Sequence, residues 1–253
     1  RIAKSGRPGP VLIDIPKDVT SNVTEYIREE PGKQAQPESY ISEEEVDRAV
    51  ELIRESTRPY VFVGGGAVLS GASDEIMEFV NLVDAPVTDT LMGKGAFPGT
   101  DPRYTGMLGM HGTKASNYGV SGCDLLIVFG ARFSDRVTGN TETFAKDAKI
   151  LQFDIDPAEI NKNIVIDAQV VGDIRAALRE VNKKLTQQDH HEWLETVEGY
   201  KKKYPLKYHP EGLSGPFIVE EIYRQTEGDA LIVTEVGQHQ MWAAQYYKYT
   251  KPG

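Results

Sequence analysis

From Ser42 onward the chain alternates between two hydrophobic periods. Short apolar runs at Tyr60–Val63, Pro86–Thr90, Asp124–Phe129, Ile150–Ile155 and Gln169–Val171 predict strands. Between them, longer stretches at Ser73–Val83, Thr113–Val120 and Pro157–Ile164 predict helices. A last helix, Ile174–Leu185, follows an Asp173 cap and carries Ile174, Ala177, Leu178, Val181 and Leu185 on one face. The series opens with Ser42 and Glu45, spaced as a capping box, and with Val46, Ala49, Val50 and Ile53 on one face behind it. Strands alternating with helices imply an α/β fold, a parallel sheet covered on both sides. Leu125–Phe129 suits a strand buried on both faces, and about 145 residues are ample for an independent core.

The flanks read differently. Pro10–Pro16 is an apolar run between prolines, expected to be a buried strand entered by the turn at Gly6–Pro10. Lys17–Tyr40 turns polar, with Pro31, Gly32 and Pro37, and reads as a linker. Gln187–Gly215 reads as a second one, holding His190, His191, Pro205, His209 and Pro210. Beyond it a helix is expected from Ser214 and Pro216 to about Gln225, then a strand at Leu231–Val236 and a helix at Gln238–Tyr247. The expected organisation is the end of one domain (residues 1–24), a linker (25–41), a complete central domain (42–186), a linker (187–214) and the start of a third domain (215–253). The chain starts at Arg1 without an initiator methionine and stops at Gly253, so both ends are expected to be cuts through a longer protein.

Composition narrows the function. Asp and Glu number 38 against 28 Lys and Arg, which argues against an extended nucleic-acid surface while leaving room for local cationic pockets. No apolar run approaches the roughly 20 residues that span a bilayer. The single cysteine, Cys123, excludes an internal disulfide and cysteine metal clusters and suits a reducing cytoplasm. Its place before an apolar strand favours burial over nucleophilic chemistry.

Candidate chemistry gathers where strands end. Gly64, Gly65 and Gly66 follow a strand and precede a helix, so a phosphate or flat ring can approach without meeting a Cβ; an ordinary tight turn explains them equally well. They are not a dinucleotide fingerprint, because Leu69 occupies the third glycine position. Gly106–Gly112 (GMLGMHG) offers small residues and two methionines to a ring system, or is a flexible loop. Gly130–Asn140 (GARFSDRVTGN) directly follows a strand, and there Arg132 and Arg136 have the forked geometry that holds a diphosphate, with Asp135 placed to fix one of them. Asp154 ends a strand as ribose-binding carboxylates do. Asp156 reads as a helix N-cap with Pro157 after it, and Asp173 serves as cap or ligand. Gly237, Gln238 and His239 open a helix whose N-terminus suits a phosphate.

Taken together, Ser5–Asp18 (SGRPGPVLIDIPKD), Gly130–Asn140 (GARFSDRVTGN) and Glu235–Gln245 (EVGQHQMWAAQ) resemble the large, catalytic subunits of the acetolactate synthases, a family of thiamine-diphosphate enzymes. The resemblance runs over nearly the whole chain. It implies a Rossmann-like, doubly wound central domain that binds FAD, flanked by pieces of the pyrimidine-binding and diphosphate-binding α/β domains. It also implies cofactor contacts from Arg7, Gly64–Gly66, Thr90, Leu91, Met92, Leu108, Gly109, Met110, His111, Gly130, Ala131, Arg132, Asp135, Arg136, Asp154, Ile155 and Asp173, and thiamine-diphosphate contacts from Gly237, Gln238 and His239. Lys17, Met110 and Arg132 resemble residues of the substrate channel. The implied reaction decarboxylates pyruvate and joins the two-carbon unit to a second pyruvate or to 2-oxobutyrate. Implied partners are a homodimeric or homotetrameric assembly and a small regulatory subunit. The family's catalytic glutamate and its Mg²⁺-binding segment match nothing in this sequence, so no catalytic or metal-binding residue is assigned and the chain alone is expected to be inactive. The alternatives are another thiamine-diphosphate carboligase or decarboxylase, such as glyoxylate carboligase or oxalyl-CoA decarboxylase, and a non-catalytic nucleotide-binding module.

Overall fold

The computed structural model describes residues 2–28, 41–209 and 212–252. The chain divides into two units, Arg1–Tyr40 and Ile41–Gly253. In the first, α1 spans Lys17–Ser21, inside the stretch expected to be a linker. Residues 29–40 of that linker lie outside the described residues, as does Pro210 of the second. The strand expected over Pro10–Pro16 is not formed, and Leu12 and Ile13 are 93% and 77% exposed. An extended segment becomes a strand only when a neighbour pairs with its N–H and C=O groups. No described strand does so here.

The second unit runs in the order α2 (Glu43–Glu55), β1 (Pro59–Val63), α3 (Gly65–Leu69), α4 (Ser73–Val83), β2 (Val87–Asp89), β3 (Tyr104–Met107), α5 (Lys114–Gly122), β4 (Leu125–Phe129) and α6 (Asp135–Thr138). It continues with β5 (Lys149–Asp154), β6 (Ala168–Val171), α7 (Ile174–Lys184), α8 (His191–Lys203), α9 (Gly215–Gln225) and α10 (Gln238–Tyr246). The six strands form one parallel sheet in the order β3-β2-β1-β4-β5-β6. The expected α/β architecture is therefore present. Because the chain starts at β1, runs outward to β3 and returns to β4, the winding reverses between β1 and β4. The crevice beyond the carboxyl ends of such a pair is where open parallel sheets bind ligands.

Alternation along the strands feeds two cores. On one face Val61, Val63, Ile127, Phe129 and Phe153 pack with Ile53, Phe79, Val80 and Leu178 of α2, α4 and α7. On the other, Tyr60, Phe62, Leu126, Val128 and Ile150 pack with Val120, Phe133, Trp193 and Val197. Cys123 belongs to this second core; burial pushes its thiol up to about 12, so it stays protonated and inert, as its sequence context suggests.

The caps are partly as expected. Asp173 accepts the Ala176 N–H at 2.9 Å, and Asp156 accepts that of Ala158 ahead of Pro157. Ser42 accepts the Glu45 N–H, but the reciprocal half of the capping box is missing. The Glu45 carboxylate instead takes the Gln169 amide at 2.8 Å and the Val171 N–H at 3.0 Å, tying α2 to the edge strand β6.

Further elements differ from expectation in the second unit. The supposed linker Gln187–Gly215 contains α8, anchored by Trp193, whose indole N–H donates to the Pro59 carbonyl at 2.9 Å. The strand β3 was not expected, since Gly106 disguises it; Thr105 bonds to β2 and to Ser116 of α5, which holds it at the sheet edge. The helix expected over Pro157–Ile164 is one turn, Pro157–Glu159, because Asn161 adopts φ +57° and spends its side chain on the Ile166 N–H. The strand expected at Leu231–Val236 has no described partner, and Leu231 and Val233 are each 93% exposed.

At the opposite, amino end of β4, Asp124 organises the entry to β1. Burial pushes its carboxyl up, but the Ser56 and Thr57 hydroxyls and the N–H groups of Thr57 and Arg58 outweigh this and hold it below the usual carboxylate range. A lowered folded value stabilises above the unfolded value, about 3.9, and that contribution is lost as pH falls through the folded one. Acidification from pH 5 to pH 3 is therefore expected to lower the melting temperature of the wild-type chain more than that of Asp124→Asn, which a pH series of thermal melts would show.

Candidate functional site

Every strand of the sheet delivers a candidate segment to the same carboxyl edge. β1 leads to Gly64–Gly66, β2 to Thr90–Met92, β3 to Leu108–His111, β4 to Gly130–Arg136, β5 ends at Asp154 before Ile155, and β6 leads to Asp173. The central-domain candidates thus share one rim. Arg7 and Lys17 belong to the first unit.

The glycines have a structural job that the sequence does not reveal. A Cβ on Gly64 would stand 2.7 Å from Ala131 Cα, one on Gly66 2.8 Å from Gly130 Cα, and one on Gly130 2.6 Å from Gly66 Cα. Gly64 and Gly66 also donate their N–H groups to the carbonyls of Phe129 and Gly130. The loops after β1 and β4 therefore close on each other at the switch point. Their glycines permit backbone to meet backbone there, and a Cβ on Gly65 would stand 2.9 Å from Met92 Cβ.

The loop after β4 is set by alternating burial. Ala131 and Phe133 point into the core, and Arg132 and Ser134 point out. Phe133, at φ +50°, packs against Phe62 and Phe144, which fixes the direction of its neighbour. Asn163 donates to the Arg132 carbonyl at 3.0 Å, so the segment that gives up its helix braces this loop. The Arg132 guanidinium is exposed and has no hydrogen-bond or ion-pair partner among the described residues. Arg136 lies 3.7 Å from Asp135, as expected of that pair, with both side chains largely exposed.

The loop Leu108–His111 is not flexible in the way its composition allows. The Met110 N–H donates to the Arg136 carbonyl at 2.9 Å, and Asn117 brackets Gly109 from both sides of its peptide. This joins the methionine loop to the arginine loop. The His111 carbonyl in turn accepts the Gln245 side chain of α10 at 2.8 Å. Gly237 caps α10 without a side-chain hydrogen bond, and Gln238 and His239 are exposed.

Two carboxylates at the rim already have work. Asp154 is buried and accepts the Asp156 N–H at 3.0 Å, while Asp173 caps α7. Apolar side chains are exposed here as well: Leu91, Met92, Met110 and Ile155 stand on loops leaving the strand ends. Concavities lined by Asp47, Arg54 and Lys184, and by Pro86, Arg103 and Leu194, lie away from this rim. Exposed apolar side chains beside exposed guanidinium groups suit a ligand that joins a ring system to a diphosphate.

A six-stranded parallel sheet with its glycine and arginine loops at one switch point defines an open α/β domain, and comparison with known proteins makes this specific. Residues 46–181 match the family described as thiamine pyrophosphate enzyme, central domain, and the chain belongs to that family. Over 256 residues it is 46% identical to the acetolactate synthase large subunit of Parasynechococcus marenigrum (strain WH8102), covering 98% of this chain and 42% of the relative. It is 44% identical to acetolactate synthase 1, chloroplastic, of Oryza sativa subsp. japonica, covering 99% of this chain and 40% of the relative. For acetolactate synthase, chloroplastic, of Arabidopsis thaliana the identity is 43%, over 99% of this chain and 39% of the relative. The chain spans about two fifths of the length of these curated relatives.

Proposed function

We propose that this chain is part of a thiamine-diphosphate-dependent acetolactate synthase and that its central domain cradles FAD. The observation that carries the reading is the shared rim, where exposed Arg132 and Arg136 stand beside exposed Leu91, Met92, Met110 and Ile155. The closed contact between Gly64–Gly66 and Gly130 leaves no room for a ligand at the base of the switch point. FAD would instead lie over the rim, its diphosphate on Arg132 and Arg136 and its ring system against the leucine and methionine side chains. Asp154, Ile155 and Asp173 would stand at the adenosine end, and Arg7 is a further proposed FAD contact.

Gly237, Gln238 and His239 would receive the diphosphate of thiamine diphosphate, since a helix start presents N–H groups and a positive dipole end to an anion. That cofactor supplies the electron sink for joining 2-oxo acids, and the protein supplies placement and electrostatics. Lys17, Met110 and Arg132 would line the approach of pyruvate and of the acceptor, pyruvate or 2-oxobutyrate. Mg²⁺ and the proton-transfer glutamate belong, in this reading, to other parts of the protein. In this reading the whole protein would assemble as a dimer or tetramer and pair with a small regulatory subunit, which the words 'large subunit' in the name of the Parasynechococcus marenigrum relative support. No helix among the described residues is long and apolar enough to cross a membrane. A cytoplasmic location rests on the single buried thiol; the rice and Arabidopsis relatives are named as chloroplastic.

The test is a chimera in which this chain replaces the matching two fifths of the Parasynechococcus marenigrum relative. FAD-dependent formation of acetolactate from pyruvate is expected. A folded chimera that binds both cofactors and makes no acetolactate would contradict the assignment.

A further inference from the structure

Beside the rim lies a closed ring of three buried polar side chains. Lys94 Nζ donates to Asp89 Oδ1 at 3.0 Å and to the Tyr104 hydroxyl at 2.6 Å, and that hydroxyl donates to Asp89 Oδ2 at 2.9 Å. The Lys94 and Asp89 side chains are only 9% and 3% exposed. Asp89 is the last residue of β2 and Tyr104 the first of β3. Lys94 follows directly on the turn Leu91–Gly93. Burial pushes the Asp89 carboxyl up, and Lys94 opposes it. One ammonium and one carboxylate balance, so the ring is neutral as a whole.

The turn itself is seated from below. Thr90 donates its N–H to the Val63 carbonyl, and its hydroxyl accepts the Gly93 N–H at 3.0 Å. Gly93, at the far end of the turn, lies close against the Val63 carbonyl, and the Lys94 side chain holds the residue after it to Asp89 and Tyr104. Met92 is left 74% exposed, with its Cβ against Gly65. An apolar side chain at position 94 would be buried as readily but would fix no single geometry. Buried ion pairs act as such registers more than as sources of stability.

We infer that Lys94, with Asp89 and Tyr104, is a positioning residue that aims Leu91 and Met92 at the ring system of the bound cofactor, an inference that rests on the FAD reading above. It leaves the diphosphate grip to the loop after β4. Ring and diphosphate affinity are therefore separable.

The experiment compares FAD with ADP, which has the diphosphate and adenosine but no flavin, on the whole chain. Lys94→Met alone strands a buried carboxylate and risks unfolding, so the main variant replaces the ring entirely, Asp89→Leu with Lys94→Leu and Tyr104→Phe. It is expected to melt within a few degrees of wild type, to bind FAD about tenfold more weakly and to bind ADP within about twofold of wild type. Unchanged FAD affinity in this folded variant, or an equal loss for ADP, would overturn the inference. So would full FAD affinity in a folded Lys94→Met. Absence of FAD binding by the unaltered chain would instead bring down the cofactor reading, and this inference with it.

Discussion

Replacing Arg132 and Arg136 together by alanine is expected to weaken FAD binding by at least about a hundredfold. Each guanidinium facing a diphosphate makes charge-assisted hydrogen bonds worth about 1.5–3 kcal/mol, and every 1.4 kcal/mol is roughly tenfold in affinity. The two singles should differ. Arg136 already has Asp135 at 3.7 Å, whereas Arg132 has no partner among the described residues, so Arg132→Ala should cost more than Arg136→Ala. Both side chains are exposed, and the loop is held by Ala131 and Phe133 beneath them. The melting temperature without ligand should therefore hardly move, since surface substitutions of this kind stay within about 0.5 kcal/mol. Titration of the variants followed by flavin fluorescence, with melts alongside, separates lost grip from lost fold.

The second large effect is on stability. Gly130→Ala should cost about 3 kcal/mol or more, because it combines φ +62° with a Cβ 2.6 Å from Gly66 Cα and 2.8 Å from Ile174 Cδ1. For a domain of this size that is a fall of roughly 10 °C in melting temperature. Gly139 is the internal control, with φ +57° and nothing within 4 Å of its would-be Cβ. Gly139→Ala meets no neighbour and should cost only backbone strain, about 1–3 kcal/mol, because φ +57° with ψ −118° lies outside the region open to L side chains. Equal melting temperatures for the two variants would show that the loops after β1 and β4 do not press on each other as described.

The central strands were readable because a parallel strand covered on both sides must be apolar at successive positions, as Leu125–Phe129 is. The same rule misleads at Val11–Ile15 and Leu231–Val236. Apolar runs record a tendency to be buried, whereas a strand also needs a neighbour, which no local pattern supplies. The missed helix α8 did leave a signal. Trp193, Val197 and Tyr200 lie at helical spacing within Gln187–Gly215, hidden by the lysines and glutamates around them.

At the site, the positions of the loops were legible and their reasons were not. Gly64–Gly66 and Gly130 stand far apart in sequence, so their mutual contact appears only once β1 and β4 are neighbours. The Asp89–Lys94–Tyr104 ring left no trace for a similar reason. A lysine between two glycines reads as an exposed loop residue, and only the pairing of β2 with β3 brings its two partners within reach.

The most direct measurement is a titration of the purified chain with FAD, followed by flavin fluorescence and thermal melting, with Arg132→Ala in parallel. The account predicts saturable binding that raises the melting temperature and that is weakened about tenfold or more in the variant. A well-folded chain that takes up no FAD, or binds it equally well without Arg132, would contradict the claim that the carboxyl rim of this sheet is a flavin cradle.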